Sequence, residues 1–157
     1  MNNRTISITR YFSAPRAAIW RCWSEADLLK QWYCPKPWYV SEVLLDLRVG
    51  GVYNTTMNGP DGEVMQIYGQ YLEVVAGERL TITDAFIGDS VPGDKAPFMT
   101  GYVVLSDAPE GTKMEWGARH WSDETVTQHK EMGFEAGWNA AADQLDVLAA
   151  TLNDTRK

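Results

Sequence analysis

From His129 to Leu148 the chain sets small and apolar residues at helical spacing. His129, Met132, Gly133, Ala136, Gly137, Ala140, Ala141, Gln144, Leu145 and Leu148 fall on one side, and mostly charged or polar residues on the other. This pattern is the strongest constraint on the fold. It predicts a long amphipathic helix whose inner face is made largely of Gly and Ala. Such a face either lets a backbone lie very close to a sheet or leaves room for something that is not protein. Everything upstream reads as strands, so the helix is expected to lie across a sheet. What fills the space between them is the functional question.

The upstream chain carries its own punctuation. Thr5 to Phe12 alternates and is β-branched, which predicts a strand. Ser13 and Pro15 then signal a helix start, with a short helix over Ala17 to Trp23 and a second one restarting at Ser24 and ending near Trp32, ahead of Pro35 and Pro37. Strands are predicted at about Val40 to Arg48, Gly51 to Asn58, Val64 to Val75, Arg79 to Phe86, Thr100 to Asp107 and Thr112 to Trp121. Turn residues separate them, among them Gly50-Gly51 and the Asp61-Gly62 tip. A longer Gly/Pro loop from Gly88 to Pro97 is suited to act as a flap. Ser122 is placed to cap the last helix, with Asp123 and Glu124 favourably set against its dipole. Strands and helices are segregated, not alternating, so the expected class is α+β with a curved antiparallel sheet of seven strands gripping the C-terminal helix.

The chain is 157 residues long, which fits one domain over residues 1–157. Its net charge of −7, with no Lys/Arg cluster, argues against nucleic acid or an anionic membrane surface as a partner. Cys22 and Cys34 form no disulfide framework and no Cys-x-x-Cys motif. No apolar signal-peptide core and no membrane-length apolar run is present, so a reduced, cytoplasmic setting is expected. Seven tryptophans and seven tyrosines exceed what a core of this size needs, and some are expected to line a cavity.

Particular residues also carry a family resemblance: Ser13-Ala-Pro-Arg16, Trp32 followed by Pro35, Asp46-Leu-Arg-Val-Gly-Gly51, Gly62, Gly69, Glu78-Arg-Leu80, and Gly137-Trp138 with Leu145 and Leu148. With these the chain resembles the AHSA1-like branch (activator of Hsp90 ATPase homologue) of the START-like, or SRPBCC, superfamily. Thr83-Asp-Ala-Phe86, Pro97-Phe-Met-Thr100, His120-Trp121 and His129-x-x-Met-Gly-Phe134 bring it especially near a bacterial subgroup. The resemblance implies the helix-grip fold and a deep apolar cavity between sheet and helix. Relatives use that cavity for lipids, polyketides, hormones and other apolar ligands; some are cyclases or hydrolases, and one gives the branch its chaperone name. Relatives often pair as homodimers, so a second copy is a candidate partner.

The residues themselves point to one polar end of such a cavity. Met114, Trp116, Ala118 and His120 share an apolar strand face, and Asp84 shares one with Leu80, Ile82 and Phe86. In an up-and-down meander Asp84, Thr100, His120 and His129 could meet at one mouth, where they would orient a ligand's carboxylate, carbonyl or hydroxyl. The competing reading is structural, with Asp84 satisfying a helix N-terminus or His120. The spacing of Asp84, His120 and His129 matches no compact metal motif, so neither metal nor cofactor is expected. There is no Gly-x-Ser-x-Gly, and Cys22 beside Trp20 and Trp23 reads as core.

The expected function is binding of a small hydrophobic or amphipathic ligand. Asp84, Met99, Trp116, His120, His129, Met132, Gly133 and Gly137 are its contact set, and Trp32 and Trp38 its gate. The alternatives are a chaperone ATPase regulator working through its surface, and a cyclase- or hydrolase-type enzyme using His120 or Asp84.

Overall fold

Residues 4–153 are described by the structure, a computed structural model. Residues 1–3 and 154–157 of the expected 1–157 span lie outside them. The strands are β1 (Thr5–Phe12), β2 (Tyr39–Leu45), β3 (Val52–Asn58), β4 (Val64–Val75), β5 (Arg79–Thr83), β6 (Met99–Ala108) and β7 (Gly111–His120). The helices are α1 (Arg16–Ser24), α2 (Ala26–Leu29), α3 (Asp123–Glu131) and α4 (Phe134–Asn153). The seven strands form one antiparallel sheet in the order β1-β7-β6-β5-β4-β3-β2. β2 to β7 is the expected meander, and β1 closes onto β7 with Ile8 opposite Trp116. Strand parity selects the inner face: Ile8 and Phe12 of β1, and Met114, Trp116, Ala118 and His120 of β7, are all buried.

Two helix starts differ from expectation. α1 begins at Arg16 with Pro15 as its N-cap, so Ser13 lies too far ahead to reach the first free amides and caps nothing. Ser24 is the last residue of α1, and Glu25 is the N-cap of α2, a single turn ending at Leu29. Ser122 does cap α3, its Oγ accepting from the Thr125 amide at 3.2 Å.

The C-terminal helix is not continuous. α3 ends at Glu131, the Met132 N–H bonds back to the Gln128 carbonyl, and Gly133 takes a φ of +85° before α4 starts at Phe134. A left-handed residue after a last turn holding His129 and Lys130 is a helix stop. The break rotates the inner face. Phe134, Ala141, Ala142, Leu145 and Ala149 are buried in α4, while Met132, Gly133 and Ala136 are exposed. The helix therefore turns Phe134 and Trp138 inward together with Ala141, Ala142, Leu145 and Ala149, while the Met132-Gly133 part of the expected stripe faces out.

Those rings make the core. Trp23 meets Trp32 edge-on at 4.8 Å and Trp116 at 5.1 Å, and Trp138 of α4 stacks on Trp116 at 4.2 Å. Two polar clamps hold α4 in place. Arg10 of β1 donates to the Asn139 carbonyl at 2.9 Å and pairs with Asp143 at 2.6 Å. The Gln144 amide donates to the carbonyls of Trp32 and Cys34 at 3.0 and 2.9 Å, and its oxygen accepts from the Lys36 amide at 3.1 Å. The Pro-rich loop is thus fastened to the helix. The Gly88–Pro97 loop does not stand free as a flap at its start: the Asp89 amide bonds the Gly50 carbonyl at 2.7 Å, and the Ser90 amide bonds Gln70 Oε1 at 2.6 Å. Among the described residues no helix is long and apolar enough to cross a membrane.

Candidate functional site

A cavity of about 310 Å³ remains between the concave sheet and the helices. Tyr53, Ile67, Ile82, Val103 and Trp116 contribute strand walls, while Trp23, Tyr33 and Trp138 close it from the helical side. Gly69 and Gly101 keep its floor low, for different reasons. A Cβ at Gly69 would meet the Thr83 carbonyl oxygen at 2.7 Å, so that glycine is required by the backbone. A Cβ at Gly101 would find nothing nearer than Met99 Cε at 3.8 Å, so that glycine leaves open volume. An outer groove of about 430 Å³ adjoins the cavity and shares Met99, Trp116, Met132 and Trp138 with it. Trp38, His129, Gly133 and Gly137 line the groove.

Parity explains which expected residues arrive. Met99 and Gly101 of β6 face the cavity, whereas Thr100, one step out of phase, is absent from both linings. Trp116 lines both spaces and stacks on Trp138. Trp38 borders the groove. Trp32 does not gate it: it is 1 % exposed, with its Nε1 donating to the Cys22 carbonyl at 3.0 Å. Tyr33, Tyr53, Met65, Ile67, Phe98, Gly101 and Gln128 were not anticipated; strand parity carried the signal for Tyr53, Ile67 and Gly101.

Asp84 and the two histidines form a connected chain. Both Asp84 carboxylate oxygens accept from the Phe98 amide at 3.0 Å, and one also accepts from Met99 N–H at 3.4 Å. His120 Nδ1 lies 3.0 Å from the Phe98 carbonyl and 3.0 Å from Thr125 Oγ1, and its Nε2 lies 2.9 Å from His129 Nδ1. Asp84 thus reaches His120 through the backbone of Phe98 and not directly. Burial raises the Asp84 carboxyl above its ordinary range, against the pull of the Phe98 and Met99 amides. Burial lowers His120, while the Phe98 carbonyl and Asp84 oppose the fall. His129 is lowered to about 4, by burial first and the neighbouring His120 second.

The tautomers follow from these contacts. A carbonyl can only accept, so His120 Nδ1 carries a proton and donates to Phe98. The Thr125 hydroxyl is within 3.1 Å of the Ser122 carbonyl, to which it donates. Neutral His120 then has its lone pair on Nε2, and His129 Nδ1 donates to it. The lone pair of His129 is left on Nε2, which has no hydrogen-bond partner among the described residues. Phe98, Phe134 and Trp138 ring His129 at 5.3, 4.9 and 5.5 Å.

Four polar atoms are buried without a partner among the described residues: Trp23 Nε1, Tyr53 OH, Thr55 Oγ1 and Tyr71 OH. Burial first, and the Tyr33 hydroxyl second, raise the Tyr53 phenol, whose hydroxyl makes no hydrogen bond among the described residues. Both thiols are buried and unactivated: desolvation pushes Cys22 up to about 12 and Cys34 up to about 11.

A seven-stranded antiparallel sheet closed by a C-terminal helix, with an apolar hollow between them, defines the helix-grip class. The chain belongs to the family described as Activator of Hsp90 ATPase homolog 1-like protein, whose family model matches residues 13–150. It is similar to a solved protein from Nitrosomonas europaea, with 33 % identity and a TM-score of 0.91 over 96 % of this chain and 97 % of that one. A Mycobacterium smegmatis protein is 28 % identical with a TM-score of 0.79, over 92 % of this chain and 90 % of that one. An AHSA1-like protein from Aeromonas hydrophila shares the fold at 21 % identity and a TM-score of 0.71, over 94 % of this chain and 93 % of that one. No curated protein matches the chain.

Proposed function

We propose that the chain binds one small apolar or amphipathic molecule between its sheet and α4. The observation that carries this is the cavity of about 310 Å³ left in a core otherwise filled by interlocking rings. Close packing is the rule in protein interiors, and a hollow of this size lies in the range of ligand pockets. The lining is mostly apolar, with Thr83, Asp84, Gln128 and tyrosine hydroxyls as its polar groups, so the driving force is burial of the ligand's apolar surface. The function proposed is binding; no residue is assigned a catalytic role.

Gly101 supplies the test. Valine there suits a strand, meets only ordinary contacts at its Cβ, and projects its methyl groups into the hollow. Titration with the neutral dye N-phenyl-1-naphthylamine is expected to give saturable fluorescence enhancement with the natural chain. Gly101→Val is expected to abolish it without lowering the melting temperature. Equal enhancement in both chains, or none in the natural one, would refute the reading.

A further inference from the structure

We infer that the ligand carries a hydroxyl or N–H donor, bound by His129 Nε2, and has no anionic group. This rests on the cavity reading above and narrows it to a chemical class. Orientation through a carboxylate or carbonyl would need a donor at the polar end. The hydrogen-bond chain supplies the opposite. The Phe98 carbonyl fixes the proton on His120 Nδ1, His120 Nε2 takes the proton of His129 Nδ1, and the remaining His129 nitrogen presents a lone pair. His129 is 6 % exposed, lines the outer groove, and has three aromatic rings around it. A donor seated there gains a bond with which water competes poorly, because the ring's surroundings are apolar.

Charge points the same way. Among the described residues lining the cavity and groove there is no lysine or arginine, and Asp84 is the one acidic side chain. A carboxylate would be desolvated with no cation to pair it. A neutral aromatic alcohol, phenol-like in character, fits both conditions: its hydroxyl at His129, its ring passing Met99 and Met132 towards Trp116 in the shared wall.

Calorimetric titration at about pH 7.5 with three compounds of one shape tests this: 2-naphthol, 2-methoxynaphthalene and 2-naphthoate. The naphthol is expected to bind about tenfold tighter than its methyl ether, the worth of one well-placed neutral hydrogen bond. The naphthoate is expected to bind weakest. In His129→Phe the naphthol and the ether are expected to bind alike, with binding of the ether showing that the variant folds. A readout that needs no variant is the ¹⁵N resonance of His129 Nε2, which is expected to move upfield with the naphthol and stay with the ether. Equal affinities for naphthol and ether, a preference that survives in His129→Phe, an unmoved Nε2 resonance, or tightest binding of the naphthoate would each overturn the inference while the cavity reading stands. Binding of none of the three would take the cavity reading down with it.

Discussion

Acid should destabilise this fold through the His129 imidazole. His129 is held at about 4 against an ordinary value of 6.5, because burial and the neighbouring His120 both disfavour its charged form. Above about pH 6.5 the ring is neutral folded and unfolded, and the group costs nothing. As pH falls from 6.5 towards 4 the unfolded chain takes the proton and the folded chain does not, so stability is lost; below about 4 both states are charged and the loss levels off. At about 1.4 kcal/mol per pH unit, the whole interval is worth about 3 kcal/mol, and the step from pH 7 to pH 5 about 2 kcal/mol. His120 is lowered too and acts in the same sense. Asp84, raised by burial, acts in the opposite sense, since it takes a proton more readily folded than unfolded. Urea unfolding followed by tryptophan fluorescence at pH 7 and pH 5 measures the effect. The natural chain should lose about 2 kcal/mol more than His129→Gln over that step. Parallel pH profiles for the two chains would refute the reasoning.

Three further perturbations address the frame around the site. Gly117→Ala should destabilise by about 2 kcal/mol in thermal unfolding, because its Cβ would meet the Tyr102 ring at 2.5 Å and that ring is already held by Arg119 at 4.0 Å and by Glu115 at 2.7 Å. Tyr71→Phe should be neutral or stabilising by about 1 kcal/mol in urea unfolding, since it removes a buried hydroxyl that lacks a partner; a clear loss would show that the hydroxyl is satisfied. Gly133→Ala should cost about 1 kcal/mol through its φ of +85° alone, as a Cβ there touches nothing within 4 Å; unchanged stability would mean that α3 and α4 can join into one helix.

The strands were legible because each buries one face, and period-two alternation survives wherever that holds: every predicted strand exists, with ends shifted by a few residues. The helix break was harder to read. Met132-Gly133 sits inside an unbroken run of small and apolar residues, and a lone glycine is tolerated within a helix. The stop signal was present in His129 and Lys130 just ahead of Gly133, but counting periodicity across it put Met132, Gly133 and Ala136 on the inner face beside His129, Ala141 and Leu145, and only the latter three are buried. Phe134 and Trp138, which lie outside that periodic set, are the residues that meet His129 and Trp116. Thr100 was misplaced for a simpler reason. Its position along the strand matched the polar end, but its parity did not.

Room in the core comes from the sheet, where Gly101 leaves volume unfilled and Gly69 yields to the Thr83 carbonyl, and not from the glycines of the last helix. Gly133 and Gly137 instead shape the lip of the groove, and Gly133 ends α3 one turn after His129. That placement ties the fold to the chemistry. A continuous helix would not need a residue with left-handed backbone there, and α4 would not be free to bring Trp138 and Phe134 around the imidazole. The same enclosure that lowers His129 to about 4 keeps its lone pair available near neutral pH. Protonation of the folded ring would turn Nε2 from acceptor to donor, so a hydroxyl-bearing ligand should be lost only as pH falls through about 4, where the acid loss of stability levels off.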